Sequence, residues 1–540
     1  ADDGDANRHL KDAEVLSSIF DTAQKVYNVS KIYADAYEQI STPSGQSAPA
    51  VNLAINERIE KGTLIFNYSG HGGEIGLGHE RFLQIPDIIS WKNYDKLAVF
   101  ITATCEFTRY DDPSRVSAGE LVFLNDEGGA ISLFTTSRAT FAGSNLALNK
   151  AIYNNNMFKK IDGEYPRFGD IIRRSKLYGT ANDKKFVLIG DPACKMAYPE
   201  YNAQTVKINS HVVLPDEYDT IRALQLVKVE GIVNDDEGTK LTDFNGEIFS
   251  SVYDKKTEIL TLGDENLPYT FYVRNSVIFK GKASIVNGDF SFEFMVPKDI
   301  AYKYGDGRIS YYFRDTITDG NGYYENIVVG GFDENAKVDT EGPIISLFIN
   351  DTTFRSGDFT NQNPNLIAFV SDSSGINTTG NGIGHDIISV INEDKLLTFV
   401  LNDYYEANQN KYNQGSIVYP FSELPDGEHS LSLKVWDVYN NSSTAYLDFV
   451  VVSSMDVIVE NLMNYPNPFM GKTNFVFDHN QSGNTIDVSV DIFRLDGKLI
   501  KKIVTTLNPE GHRSEPIVWD GTTDSGGAIA RGFYVYRVTV

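Results

Sequence analysis

Thr63-Leu64-Ile65-Phe66-Asn67-Tyr68-Ser69-Gly70-His71-Gly72-Gly73 decides the fold of the N-terminal part of this chain. Its first half is a short, nearly continuous apolar run. Such a run suits the centre of a parallel sheet covered on both faces. Leu97-Ala98-Val99-Phe100-Ile101-Thr102 is a second run of the same kind, followed by Ala103-Thr104-Cys105-Glu106. In an open parallel sheet, ligands gather beyond the carboxyl ends of the strands. If the two strands are neighbours, joined by one crossover, His71 and Cys105 face each other across that edge.

Working outward, the spacing of Leu16, Ile19, Phe20, Ala23 and Tyr27 predicts a helix over 10–27. Ile32–Tyr37 reads as a short strand or extended segment. Further helices are expected over 50–60, 118–124, 145–158 and 168–177, and further strands at Ala130–Phe134 and Phe186–Ile189. Residues 1–204 therefore read as an α/β unit. The acidic opening Ala1-Asp2-Asp3-Gly4-Asp5 reads as the loop after a strand of a longer protein. Beyond Tyr198 the period changes to short alternating strands separated by Gly, Asp and Asn turns, the pattern of β-sandwiches in series. The expected units are 205–336, 337–455 and 456–540. The last opens with Asn464-Tyr465-Pro466-Asn467-Pro468-Phe469, read as a rigid entry because two prolines fix φ and remove two donors.

Composition narrows the function. The chain has 540 residues and a formal net charge of −25, the opposite of a nucleic-acid footprint, so no nucleic-acid partner is expected. Two cysteines, Cys105 and Cys194, exclude a disulfide-stapled scaffold. HExxH, CxxC and P-loop patterns are absent from the sequence.

The chemistry that fits the two strand ends is a thiol nucleophile. A free thiol has a pKa of about 8.5, so it needs a neighbouring imidazolium to hold the thiolate, and the imidazole then protonates the leaving amine. Glycines around His71 let the chain turn sharply and let a substrate backbone approach. The N–H groups of Gly72 and Cys105 are the candidate oxyanion donors. Taken alone, a buried cysteine is more often a small hydrophobe. Cys194, in Asp191-Pro192-Ala193-Cys194, is read that way. Asp2, Asp3 and Asp5 offer a carboxylate to orient His71, Asp3 foremost; equally, they are donors for Ca²⁺ or a solvated turn. Beyond that structural Ca²⁺, no cofactor is expected. Glu106 is a candidate for holding a basic substrate side chain, and Arg109 and Arg138 for meeting a peptide carboxylate. His79 is a rival base that lies farther past the strand.

Ser-Gly-His-Gly-Gly and Ala-Thr-Cys-Glu on successive strands resemble the caspase–hemoglobinase clan of cysteine peptidases, and more closely its gingipain-like (C25) family. Lys185-Phe186-Val187-Leu188-Ile189-Gly190-Asp191-Pro192-Ala193 resembles that family's last catalytic strand, and the acidic opening with His9 resembles the loop after an earlier one. The resemblance implies a caspase-like α/β catalytic subdomain followed by three Ig-like β-sandwiches, with His71 and Cys105 as the catalytic pair. Tyr465-Pro466-Asn467-Pro468-Phe469, Asp496-Gly497-Lys498 and Trp519-Asp520-Gly521 resemble the terminal domain of the type IX secretion sortases of Bacteroidota. That narrower likeness implies removal of C-terminal sorting domains from cargo at the outer-membrane surface and transfer of cargo onto anionic lipopolysaccharide. It also implies a PorV-like outer-membrane β-barrel as partner. The sequence leaves two rivals open: a secreted gingipain-like protease carrying its own sorting signal, and an inactive adhesion or assembly protein.

Overall fold

The computed structural model describes residues 1–42, 45–177, 179–264, 266–379, 384–394, 397–452, 457–509 and 511–540. The α/β unit is built on a four-stranded sheet in the order β1 (Ile65–Ser69), β2 (Ala98–Ala103), β3 (Ala130–Thr136), β4 (Phe186–Ile189). Strands β1, β2 and β3 are parallel, as their apolar runs imply. The fourth strand departs from the expected parallel sheet, because β4 pairs antiparallel with β3.

Both faces of the sheet are covered, and the side-chain alternation of β2 serves two cores. Ala98 and Phe100 pack with Val51, Ile55 and Ile59 of α2 (Pro49–Lys61), Ile88 of α3 (Ile85–Ser90) and Val122 of α4 (Ala118–Leu124). Val99 and Ile101 pack on the other side with Leu16 and Ile19 of α1 (Gly4–Ala23), Leu148 of α5 (Ala142–Ala151) and Phe168 and Ile171 of α6 (Phe168–Ser175). Phe100, Ile101, Phe107, Phe134 and Phe168 are fully buried. Truncating any one of these aromatics to alanine costs about 3–5 kcal/mol. Local signals fix the helix starts. Pro49 stands in the first turn of α2, and Ser117 and Glu120 form a reciprocal capping box on α4. The segment at 32–37, read as a short strand or extended stretch, holds a 3₁₀ turn, Ala34–Ala36, between the extended residues Tyr33 and Tyr37. The helix expected to continue to 158 passes into a π-helical stretch at Ile152–Met157.

Beyond the α/β unit, each β region has its own core. Residues 201–332 form an eight-stranded and a three-stranded sheet around one cluster of buried side chains. Residues 344–451 form a four- and a five-stranded sheet around a second. Residues 459–539 form two three-stranded sheets around a third. The expected boundary at 455/456 lies outside the described residues. Ion pairs tie the units together. Asp403 meets Lys61 of α2 at 3.2 Å and Lys280 at 3.0 Å, and His512 meets Asp351 at 2.9 Å. Pro466 and Pro468 turn the corner between strands Val459–Tyr465 and Thr473–His479, inside the last unit rather than at its entry.

A hairpin of the first β region, Thr257–Leu260 with Thr270–Val273, reaches back onto the α/β unit. Its Phe271 packs on Leu10 and Tyr33, and Leu262 N–H donates to Asp35 O at 2.7 Å. Among the described residues, no helix is long and apolar enough to cross a membrane.

Candidate active site

In the β1–β2 register, Tyr68 stands opposite Thr102 and Ser69 opposite Ala103. Two residues past the last pair of each strand lie His71 and Cys105, so both follow the same sheet edge at equivalent positions in the chain. The chain around His71 is held tightly. Its N–H donates to Asp2 Oδ2 at 2.7 Å, and its carbonyl accepts from the Tyr68 hydroxyl at 2.7 Å and from Gly78 N–H at 2.9 Å. Two glycines are needed here. A Cβ on Gly70 would stand 2.4 Å from Asp2 Cβ and 2.5 Å from the Tyr68 hydroxyl oxygen, and one on Gly72 would stand 2.7 Å from Thr104 Oγ1. Gly72, a candidate oxyanion donor, thus lies directly over the residue preceding Cys105. It opens a small antiparallel sheet, Gly72–Gly73, Gly76–Leu77 and Leu83–Gln84, which the sequence reading missed.

The Cys105 thiol is half-buried and unbridged. Thr140 N–H points at its Sγ from 3.4 Å, and the thiol faces Thr140 O at 3.7 Å. Thr140 is placed from behind by a relay: its Oγ1 donates to Thr104 O at 2.9 Å and accepts from Asn145 at 3.0 Å, and Asn145 in turn accepts from Asn182 at 3.1 Å. Nothing in the sequence marked Thr140, which follows β3 rather than either apolar run. Cys194 is half-buried against the α1–α6 side of the sheet, consistent with a packing role.

Of the three opening acids, the structure places Asp5 rather than Asp3 beside the His71 ring. Asp3 is buried and turns away from His71; its Oδ2 accepts from the Gln39 amide and its carbonyl accepts from Asn266 at 2.6 Å. Burial, reinforced by the charges of Asp2 and Glu80, pushes its pKa up to about 6. Asp5 is the carboxylate beside the imidazole, with Oδ2 3.6 Å from His71 Nε2. The reason is local backbone geometry. Asp5, Ala6 and Asn7 adopt φ of 58°, 58° and 61°, a left-handed turn that opens α1 and swings Asp5 toward the site. L-residues pay for that conformation. The turn is clamped by the hairpin loop, where Asn7 Nδ2 donates to Leu267 O at 2.7 Å. Three imidazoles gather here. The His71 ring stacks on His79 at 4.7 Å between centroids and meets the edge of His9 at 5.2 Å. Burial pushes the His9 pKa down.

The remaining candidates are already engaged. Glu106 lies 3.7 Å from Arg109, which hydrogen-bonds Glu74 at 2.8 Å. Arg138 grips Asp111 through two bonds of 2.9 and 2.6 Å and holds its carboxyl below the usual range. Asp2, Asp3 and Glu80 form a buried group of carboxylates within 4.8 Å of one another, whose oxygens suit a hard cation.

The comparisons with known proteins point to a cysteine peptidase unit at this end of the chain. Residues 1–197 match the model of peptidase family C25. Among solved structures, the chain is similar to dimeric latent PorU from Porphyromonas gingivalis, at 32% identity and a TM-score of 0.33, over 71% of this chain and 37% of that one. It is also similar to the complex of Porphyromonas gingivalis RgpB pro- and mature domains, at 13% identity and a TM-score of 0.30, over 61% of this chain and 65% of that one. The chain thus spans less than two thirds of the length of either. No curated protein matches the sequence.

Proposed function

We propose that the chain carries the catalytic centre of a cell-surface cysteine endopeptidase of the type IX sortase kind, using Cys105 and His71 as its dyad. The observation that carries this reading is the in-register β1–β2 pair, which ends in His71 and Cys105 at one sheet edge in a family C25 unit. The Cys105 thiolate attacks the scissile carbonyl. The C–N bond then breaks as His71 gives its proton to the departing amine, leaving a thioester on Sγ. Asp5 orients the imidazole, Thr140 N–H positions the sulfur, and the N–H groups of Gly72 and Cys105 serve as the oxyanion donors.

Water or an amine then resolves the thioester. The sortase assignment, in which cargo loses its C-terminal sorting domain and passes to anionic lipopolysaccharide beside a PorV-like barrel, is supported by the resemblance of the 457–540 motifs. A structural Ca²⁺ at Asp2, Asp3 and Glu80 belongs to the same proposal. The second reading is a secreted gingipain-like protease whose last unit is its own sorting signal. Intact mass of the mature surface protein separates them: retention of residues beyond 457 fits the sortase and their loss fits cargo. Labelling by an electrophilic peptide at Cys105, lost in Cys105→Ala, tests the peptidase itself; absence of labelling at Cys105 in the intact protein refutes it.

A further inference from the structure

We propose that Asp5, His9 and His71 form a regulatory site for a divalent transition metal, with zinc the best fit, and that its occupancy silences the peptidase. The metal-binding claim stands on geometry; the silencing rests on the dyad reading above. Asp5 Oδ2 lies 3.6 Å from His9 Nε2 and 3.6 Å from His71 Nε2, and one donor atom from each of the three residues falls within 4.8 Å of the others. Ligands about 2.1 Å from a tetrahedral ion stand roughly 3.4 Å apart, so these spacings are those of a zinc site with small inward movement. The donor set, two imidazoles and one carboxylate with a fourth position open, selects a borderline metal over Ca²⁺ or Mg²⁺.

A second observation points to a ligand. His9 is only 5% exposed, yet its Nε2 is buried without a hydrogen-bond partner while aimed at Asp5. Orphaned buried nitrogens are rare, and a metal would satisfy this one. The pocket is also reachable, since the side chains of His71 and Asp5 are 37% and 55% exposed. The three donors are preset by the local backbone. The left-handed turn presents Asp5, and Gly4 allows close approach, since a Cβ there would stand 3.3 Å from His71 Cδ2.

An imidazole whose Nε2 lone pair is held by a metal carries at most one proton. It cannot become the imidazolium that holds the Cys105 thiolate and protonates the leaving amine.

The test is zinc titration by calorimetry, with Co²⁺ absorption as the geometric readout, on the full chain carrying Cys105→Ala so that the thiolate contributes nothing. One equivalent should bind, with the intense visible bands of four-coordinate Co²⁺. His9→Asn and Asp5→Asn should each weaken binding at least about tenfold, while His79→Asn should stay within about threefold. No binding, binding indifferent to His9→Asn, or binding that vanishes in the Cys105→Ala background would each overturn the site; the last would mean that zinc bridges the thiol instead. On the wild-type chain, zinc should stop peptide labelling at Cys105 and a chelator should restore it. Labelling that persists with zinc bound overturns the silencing. Tight binding in a protein that never labels at Cys105 supports the metal site and removes only the peptidase reading.

Discussion

In the proposed mechanism Cys105 and Asp5 are the residues on which the chemistry turns, and each has an internal control. Cys105→Ala should abolish peptide turnover while the fold persists, because the side chain is half-buried and its removal leaves the β2 core untouched. Cys194→Ala should keep turnover within about threefold, a packing change only. Steady-state cleavage of a reporter peptide, with circular dichroism alongside, reads both. Asp5→Asn should lower kcat by roughly tenfold to a hundredfold, the scale set by loss of a group that orients a catalytic imidazole. Asp3→Asn should change kcat far less, because Asp3 faces Gln39 rather than His71. Equal losses in the two variants would return the orienting role to the buried acids. The placement of His71 and Cys105 past two neighbouring parallel strands was legible in the sequence, because short apolar runs announce buried parallel strands. Asp5 was not legible. Three acids in five residues carry no periodicity, and the left-handed turn that selects among them is closed by Leu267 and Asn266, far along the chain.

At the scale of elements, the hairpin Thr257–Leu260 with Thr270–Val273 acts as a strut for the opening of α1. Asn7 favours the left-handed region better than most residues and also spends its amide on Leu267 O. Asn7→Ala loses both, so kcat should fall several-fold with little change in the unfolding of the β regions. Asn7→Gly restores the backbone freedom alone and should recover part of the loss. Strand direction was equally hidden from the sequence: Phe186–Ile189 reads as a strand, but nothing in its residues says that it runs antiparallel to β3.

The strand Thr473–His479 carries a pH-dependent element. His479 is 3% exposed, its Nδ1 accepts from Gln481 N–H at 3.1 Å, and burial, aided by the charge of His512, lowers its pKa to about 4. The unfolded chain binds this proton near pH 6.5, so the folded unit is fully stabilised above that value and loses stability as pH falls toward 4. The loss amounts to about 3 kcal/mol at the acid end. Thermal unfolding of the last unit should therefore weaken between about pH 6.5 and 4. His479→Gln should flatten the curve, and an unchanged slope would place the acid sensitivity elsewhere.

At the scale of the whole molecule, the last unit is a separate body fixed in one place. Its core is self-contained, and it meets the preceding β region through His512 with Asp351 at 2.9 Å and Asp358 at 3.5 Å, and through Asn361 with Ser482 O at 2.8 Å. His512 is nearly inaccessible, and its bond, with those of Thr353, outweighs burial and holds the Asp351 carboxyl well below the usual range. The junction is pinned by this pair rather than by the two prolines. A body held in one orientation loses less freedom when it docks, so it suits a partner-binding role better than a tethered flag would. Deleting 457–540 should leave Cys105 as reactive toward a small thiol probe as in the full chain, because the contacts just described all fall on the second β region. On the proposed sortase reading, the same deletion should abolish capture by the PorV-like barrel and cargo processing in cells. His512→Ala should keep the unit folded but loosen it, lowering barrel capture while leaving probe labelling intact. Normal co-purification of the barrel with the truncated protein would remove the docking role. Loss of probe labelling on truncation would show instead that the terminal unit supports the catalytic fold through the two β regions between them.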